Sequence, residues 1–197
     1  MVPLPAPAAL KSADIVVFHD EGSGCAAGGL WQAIAANHLH NGKLWEQEDL
    51  ARRRNVPDSE IAANKRAIDG HNQKRNDAIE RIDEALLESL SAVARKPHAR
   101  LNSETAGAMI DRLSILSLKI RAMREQTQRT DVDAGHIEAC RQKLETLGEQ
   151  RQDLASCLDR LLAECARGEG YFKVYRQYKM YNDPKLNPAI YGEKRRG

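Results

Sequence analysis

Residues 30–90 constrain the fold most, because two helical patterns there carry polar residues where apolar ones belong, and at matching levels. The first runs through Leu30, Ile34, Asn37 or His38, Asn41, Leu44 or Trp45, and Glu48, at the three- and four-residue steps of one helix face. The second runs through Ile61, Lys65, Ile68, Asn72, Arg75 or Asn76, Ile79, Ile82, Leu86 and Leu90. Val56-Pro57-Asp58 is the natural turn between them, since the residue before a proline avoids helical geometry and Asp58 or Ser59 can cap the helix that follows. An antiparallel hairpin closed there makes facing residue numbers add to about 112, because both arms rise equally per residue. Glu48 then meets Lys65, Asn41 meets Asn72, and Asn37 with His38 meets Arg75 with Asn76. Buried polar groups cost free energy unless partnered, so this interior cluster is either a self-satisfied network or the floor of a ligand site.

The rest of the chain extends a helical plan. Aromatic residues make up 5% of the sequence and charged residues 29%, a balance that favours long amphipathic helices over sheet. Residues 1–28 read as an extended lead-in, with a short strand or extended packing segment at Ile15-Val16-Val17-Phe18 and flexible glycines after it that match no phosphate loop. Helix one is expected over about 29–55 and helix two over about 58–95, ended by Lys96-Pro97, with Gly70 marking close packing or a bend. Helix three begins near Ser103-Glu104 and is apolar on much of its circumference through Met109, Ile110, Leu113, Leu116, Ile120 and Met123, which makes it central. Helix four carries a seam through Ile137, Cys140, Leu144, Leu147, Arg151, Leu154, Leu158, Leu161 and Cys165, interrupted by Arg151 alone. The expected architecture is an all-α antiparallel bundle of four main helices in one domain, with the bundle at 29–168 and a basic, tyrosine-rich tail at 169–197 packed on it.

Charge and cysteines narrow the function classes. A net charge of +2 is too small to mark a nucleic-acid binder, although residues 167–197 hold eight Lys or Arg against three Asp or Glu. All five tyrosines fall there, interleaved with Lys173, Arg176 and Lys179, an arrangement suited to stacking or to docking the tail. The stacking residues and the charge are confined to one segment, which leaves RNA or DNA binding the least supported class. Cys25, Cys140, Cys157 and Cys165 have no metal-ligand spacing and read as buried thiols of a reducing, cytoplasmic compartment. No apolar run is long enough for a membrane span.

Three kinds of chemistry compete for the polar residues. The pairs Glu46 with Asp49 and Glu80 with Asp83 are similar to the magnesium sites of all-helical nucleotide pyrophosphohydrolases, but the hairpin separates them by on the order of 20 Å. His38, His40 and His71 make a poor metal set, since His38 and His40 face different sides of a helix. Asn76, Ile79, Ile82, Asp83, Leu86 and Leu87 are similar to the first-helix pattern of all-helical chorismate mutases, with asparagine at 76 where that family has arginine. A mutase- or transferase-like enzyme is therefore one alternative. The first choice is a ligand site in which Lys65 and Arg75 hold an anionic group, and Asn37, Asn41, Asn72 and Asn76 bind hydroxyls or carbonyls. His38 would exchange a proton, Glu48 would complete the rim, and Tyr175, Arg176 and Lys179 would close over it. No metal or cofactor is assigned. A helical adaptor that dimerises through helix four, or offers its basic tail to a partner, is the second choice.

Residues 30–49 (LWQAIAANHLHNGKLWEQED), 61–87 with its KRAIDGHNQKRNDAIERIDEALL, 104–120 with IDRLSILSLKI, and 171–188 with YFKVYRQYKMYNDPKLNP together resemble a bacterial family known as domain of unknown function 4254. The resemblance implies a bacterial, helical protein of about this length. It also implies an association with genes for surface-polysaccharide assembly, and so a sugar, nucleotide-sugar or phosphorylated ligand.

Overall fold

The computed structural model describes residues 10–22, 28–176, 180 and 183–193, which form an all-α fold. Its helices are α1 (Ser12–Glu21), α2 (Gly29–Leu50), α3 (Asp58–Ser89), α4 (Ala106–Thr127), α5 (Ala134–Ala166) and α6 (Pro188–Glu193). Helices one to four of the sequence pattern are α2 to α5. Two short strands, β1 (Arg100–Leu101) and β2 (Gly170–Tyr171), pair in parallel.

The α2–α3 hairpin closes where the sequence places it. Pro57 holds an extended conformation, α3 starts at Asp58, and Asp58 and Glu60 put negative charge in its first turn. Arg53 pairs with Glu60 at 3.2 Å, and His40 Nδ1 lies 3.2 Å from His71 Nδ1. Facing numbers thus add to 113 near the turn and 111 further down. Gly70 does not mark a close contact: α3 continues through it, and a Cβ there would meet nothing within 4 Å. α3 also stops at Ser89, short of the expected Arg95. Ser89 Oγ donates to Leu86 O at 2.7 Å, competing with the helix ladder. The chain beyond is used elsewhere, because Lys96, Arg100 and Asn102 donate backbone bonds to Gly168, Glu169 and Tyr171.

α4 is central. Thr105 caps it by accepting from Ala108 N, and it packs against α1, α2, α3 and α5. Bonds from Asn37 to Asp111 and from Asn41 to Ser114 set α2 alongside α4 in the same direction, while a short connection at 128–133 returns the chain into α5. Ile34, Ile82, Leu86, Ile110, Leu113, Leu158 and Leu161 are fully or almost fully buried where these helices meet.

Several expectations need correction. Ile15 to Phe18 is neither strand nor extended lead-in; it lies in α1. The β-branched run yields to tertiary packing: Ser12 N and Oγ donate to the two carboxylate oxygens of Asp159 at 2.9 and 2.7 Å, and Ile15, Phe18 and His19 are buried. Cys157 is exposed, one position off the buried seam, whereas Cys140 and Cys165 are buried; Cys25 lies outside the described residues. The second half of the α5 seam, Leu154, Leu158, Leu161 and Cys165, belongs to the chain's own core, so those residues are not a free dimer face. In the tail, Phe172 is buried and Arg95 stacks over Tyr171, 3.6 Å from the ring centre.

Candidate functional site

The polar interruptions of α2 are satisfied chiefly by α4. Asp111 Oδ1 accepts from Asn37 Nδ2 at 2.8 Å and from Asn41 Nδ2 at 2.9 Å. Asn41 Nδ2 also donates to Ser114 Oγ at 3.0 Å, and His38 Nδ1 lies 2.8 Å from the same hydroxyl. Asn37, Asn41, Asp111 and Ser114 are all buried. Asp111 and Ser114 were not among the residues singled out from the sequence. Their signal is the three-residue spacing of Asp111, Ser114 and Ser117 inside an otherwise apolar helix face.

α3 brings Arg75 to the edge of this network. Its Nη2 donates to Asn76 Oδ1 at 3.2 Å, and its Nε stands 4.0 Å from Asp111 Oδ1. The Nε is buried and has no hydrogen-bond partner among the described residues. Of the five N–H donors a guanidinium carries, one is engaged with a described residue, Asn76.

Above the network opens a cavity of about 360 Å³ between α2, α3 and α4. Asn41, Trp45, Glu48, Asp49, Arg52, Asn72 and Arg75 supply its polar or aromatic lining, and Leu44, Ile115 and Leu118 its apolar wall. Of the expected site residues, Asn41, Glu48, Asn72 and Arg75 therefore share one cavity, with Asn37 buried beneath and His38 joined through Ser114. The expected meeting of Glu48 with Lys65 is replaced by pairs along each helix: Glu48 with Arg52 at 3.1 Å, and Lys65, which is exposed, with Asp69 at 2.8 Å. Asn76 and Tyr175 face a different cavity of about 410 Å³, lined also by Glu80, Asp83 and Thr105. Arg176 reaches Glu84 at 3.6 Å, and Lys179 lies outside the described residues.

Burial sets the protonation of the nearby groups. His19 stacks on His38 with ring centres 4.6 Å apart, and neither of its ring nitrogens has a hydrogen-bond partner among the described residues. Desolvation, then the neighbouring His38 and Arg151, pushes its pKa down to about 3. His38 is lowered by burial and by Arg121, with Asp20 opposing. Asp83 accepts from Gly107 N at 2.6 Å, yet burial outweighs its bonds to Gly107 and Thr105 and raises its pKa to about 6. Among the described residues no group of three or more His, Cys, Asp or Glu could hold a metal ion, and no helix is long and apolar enough to cross a membrane.

Fold and site together define a helical protein whose interior polar network, strung between α2 and α4, surfaces in a small mixed-polarity cavity. The chain belongs to the family described as Protein of unknown function (DUF4254), whose model matches residues 31–174 and so takes in every residue of that cavity. No curated protein and no solved structure matches it.

Proposed function

We propose that the cavity between α2, α3 and α4 binds a small anionic ligand of sugar or nucleotide-sugar type. Arg75 carries the reading: a cation held by one bond to Asn76 and a loose approach to Asp111, at the edge of a cavity with room for a small molecule. The surrounding groups fit the same chemistry. Trp45 offers an aromatic face to a sugar or base ring, Glu48 and Asp49 can accept from hydroxyls, and the amides of Asn41 and Asn72 can do either. Arg52 adds a second cation at the rim. A sugar-bearing ligand, and with it a role in surface-polysaccharide assembly, is what the resemblance noted in the sequence implies.

A thermal-shift screen against nucleotides, nucleotide sugars and phosphorylated sugars tests this, with Arg75→Met run beside the natural sequence. A saturating ligand adds apparent stability of about 3 kcal/mol at a hundredfold excess over its dissociation constant. One ligand class should shift the natural protein and leave Arg75→Met unmoved. Equal shifts in both proteins would count against the cavity.

A further inference from the structure

α2 turns His38 toward Ser114 and His40 toward α3, where the hairpin brings it to His71. Nδ1 of His40 and Nδ1 of His71 stand 3.2 Å apart, with ring centres 5.4 Å apart and ring planes tilted by 39°. The rings thus meet nitrogen to nitrogen at their edges, unlike His19 and His38, which stack. Both residues are half-buried, so solvent reaches the pair. Two ring nitrogens this close need something between them, because facing lone pairs repel. A proton shared as N–H···N is one answer, and a metal ion is the other. Nitrogens bound to one tetrahedral ion at about 2.0–2.1 Å stand about 3.3–3.4 Å from each other, within about 0.2 Å of the spacing found here.

The surrounding charge decides which ions fit. Lys74 and Arg81 act on His40 as positive neighbours and Asp77 as a negative one, and Asp77 already accepts from Gln73 Nε2 at 2.7 Å. The local field therefore does not itself attract a cation. Binding must come from nitrogen coordination, which suits Zn²⁺, Ni²⁺ or Cu²⁺ and not the oxygen-seeking Mg²⁺ or Ca²⁺. From this juxtaposition we infer that His40 and His71 hold a divalent transition-metal ion of the zinc class between α2 and α3, its remaining positions open to water. Each histidine is one residue from an asparagine that lines the ligand cavity, Asn41 on α2 and Asn72 on α3. The ion thus sets how far apart two walls of that cavity stand, whatever the cavity binds. A second soft pair competes for the same ions: Cys140 Sγ lies 3.5 Å from His136 Nε2. Both belong to α5 and the thiol is buried, so that pair ties no two helices together.

The test is calorimetric titration of the full chain, stripped with a chelator, with zinc chloride, and with magnesium chloride for comparison. His40→Gln, His71→Gln and His136→Gln are titrated beside it. Glutamine keeps a polar side chain at these half-buried positions, and circular dichroism melts of the metal-free variants check that each is folded. One zinc ion per chain should bind the natural protein and His136→Gln alike. Affinity should fall at least about tenfold in His40→Gln and in His71→Gln, since even an outer partner of a metal ligand is worth that much. Zinc should also raise the melting midpoint of the natural protein and not that of these two variants. Zinc binding that survives in either variant at full affinity, or that is lost in His136→Gln, would overturn the proposal. So would magnesium binding as tightly as zinc, or no saturable zinc binding at all, which would leave a shared proton between the rings.

Discussion

Arg75 Nε and Asp111 Oδ1 face each other across α3 and α4 at 4.0 Å, near enough for attraction and too far for a hydrogen bond. The distance follows from how Asp111 is already used. The same oxygen accepts from Asn37 and Asn41, which hold the carboxylate toward α2 and leave Arg75 beside it with spare donors. A charge pair of this kind orients the guanidinium without consuming it, as the proposed anion site requires.

Asn41 joins Asp111 to Ser114, so Asn41→Leu should strip a buried carboxylate and a buried hydroxyl of a donor at once. The expected loss is about 2–3 kcal/mol in urea unfolding. A loss within about 0.5 kcal/mol, the range of ordinary surface changes, would remove this network from the fold's support.

Asp83 should make the protein less stable as pH rises. Its folded pKa of about 6 lies above the ordinary carboxylate value of 3.8, so between those values the folded state holds the proton the unfolded chain has released. Stability from this group is present below pH 4 and lost as pH climbs through 6, by on the order of 3 kcal/mol. Asp83→Asn keeps an acceptor for Gly107 and should flatten that slope. Unfolding midpoints from pH 4 to 7 that fall in parallel for both proteins would contradict this.

His19 has the opposite sign. Its folded pKa, near 3 against an ordinary 6.5, means the unfolded chain takes up a proton first as pH drops. Stability is lost progressively below about pH 6.5, and His19→Phe, which preserves a ring for stacking on His38, should resist acid better than the natural protein. Circular dichroism melts at pH 7 and pH 5 would show it as a smaller drop in Tm; an equal drop would place the acid sensitivity elsewhere.

Two glycines should respond in opposite directions to alanine. At Gly107 a Cβ would sit 2.7 Å from Ile79 O and 2.8 Å from Asp83 Oδ1, so α3 and α4 would have to part, at a cost of about 1–3 kcal/mol. At Gly70 the added methyl meets nothing, and Gly70→Ala should stabilise by about 0.5–1 kcal/mol. Chemical denaturation of the two variants separates them; a stabilised Gly107→Ala would refute the close α3–α4 approach.

The hairpin was legible because its information is local: Pro57 fixes the turn, and equal rise on two helices fixes which residues meet. The partner of the polar line was not. Asn37 and Asn41 look across to α3 in a two-helix picture, but their hydrogen bonds go to Asp111 and Ser114, 70 to 74 residues further on. Nothing short of the three-helix packing places α4 there. Ile15 to Phe18 misled for the same reason, since a β-branched run becomes helical once Asp159 of α5 caps it. Lys65 fits the polar line by spacing, yet sits far enough round α3 to be exposed and to pair with Asp69. A three- or four-residue step fixes a face only to within part of a turn.

Arg75 is the proposed anchor for the anion, and calorimetric titration of the best ligand from the thermal screen isolates its part in binding. The natural protein, Arg75→Met and Arg167→Gln would be compared. Arg167 pairs with Glu169 beyond the end of α5, away from the cavity, so that variant removes an equal charge without touching the site. Affinity should fall about tenfold to a hundredfold in Arg75→Met, the worth of a charge-assisted hydrogen bond, and stay unchanged in Arg167→Gln. Equal affinity in all three proteins would contradict it.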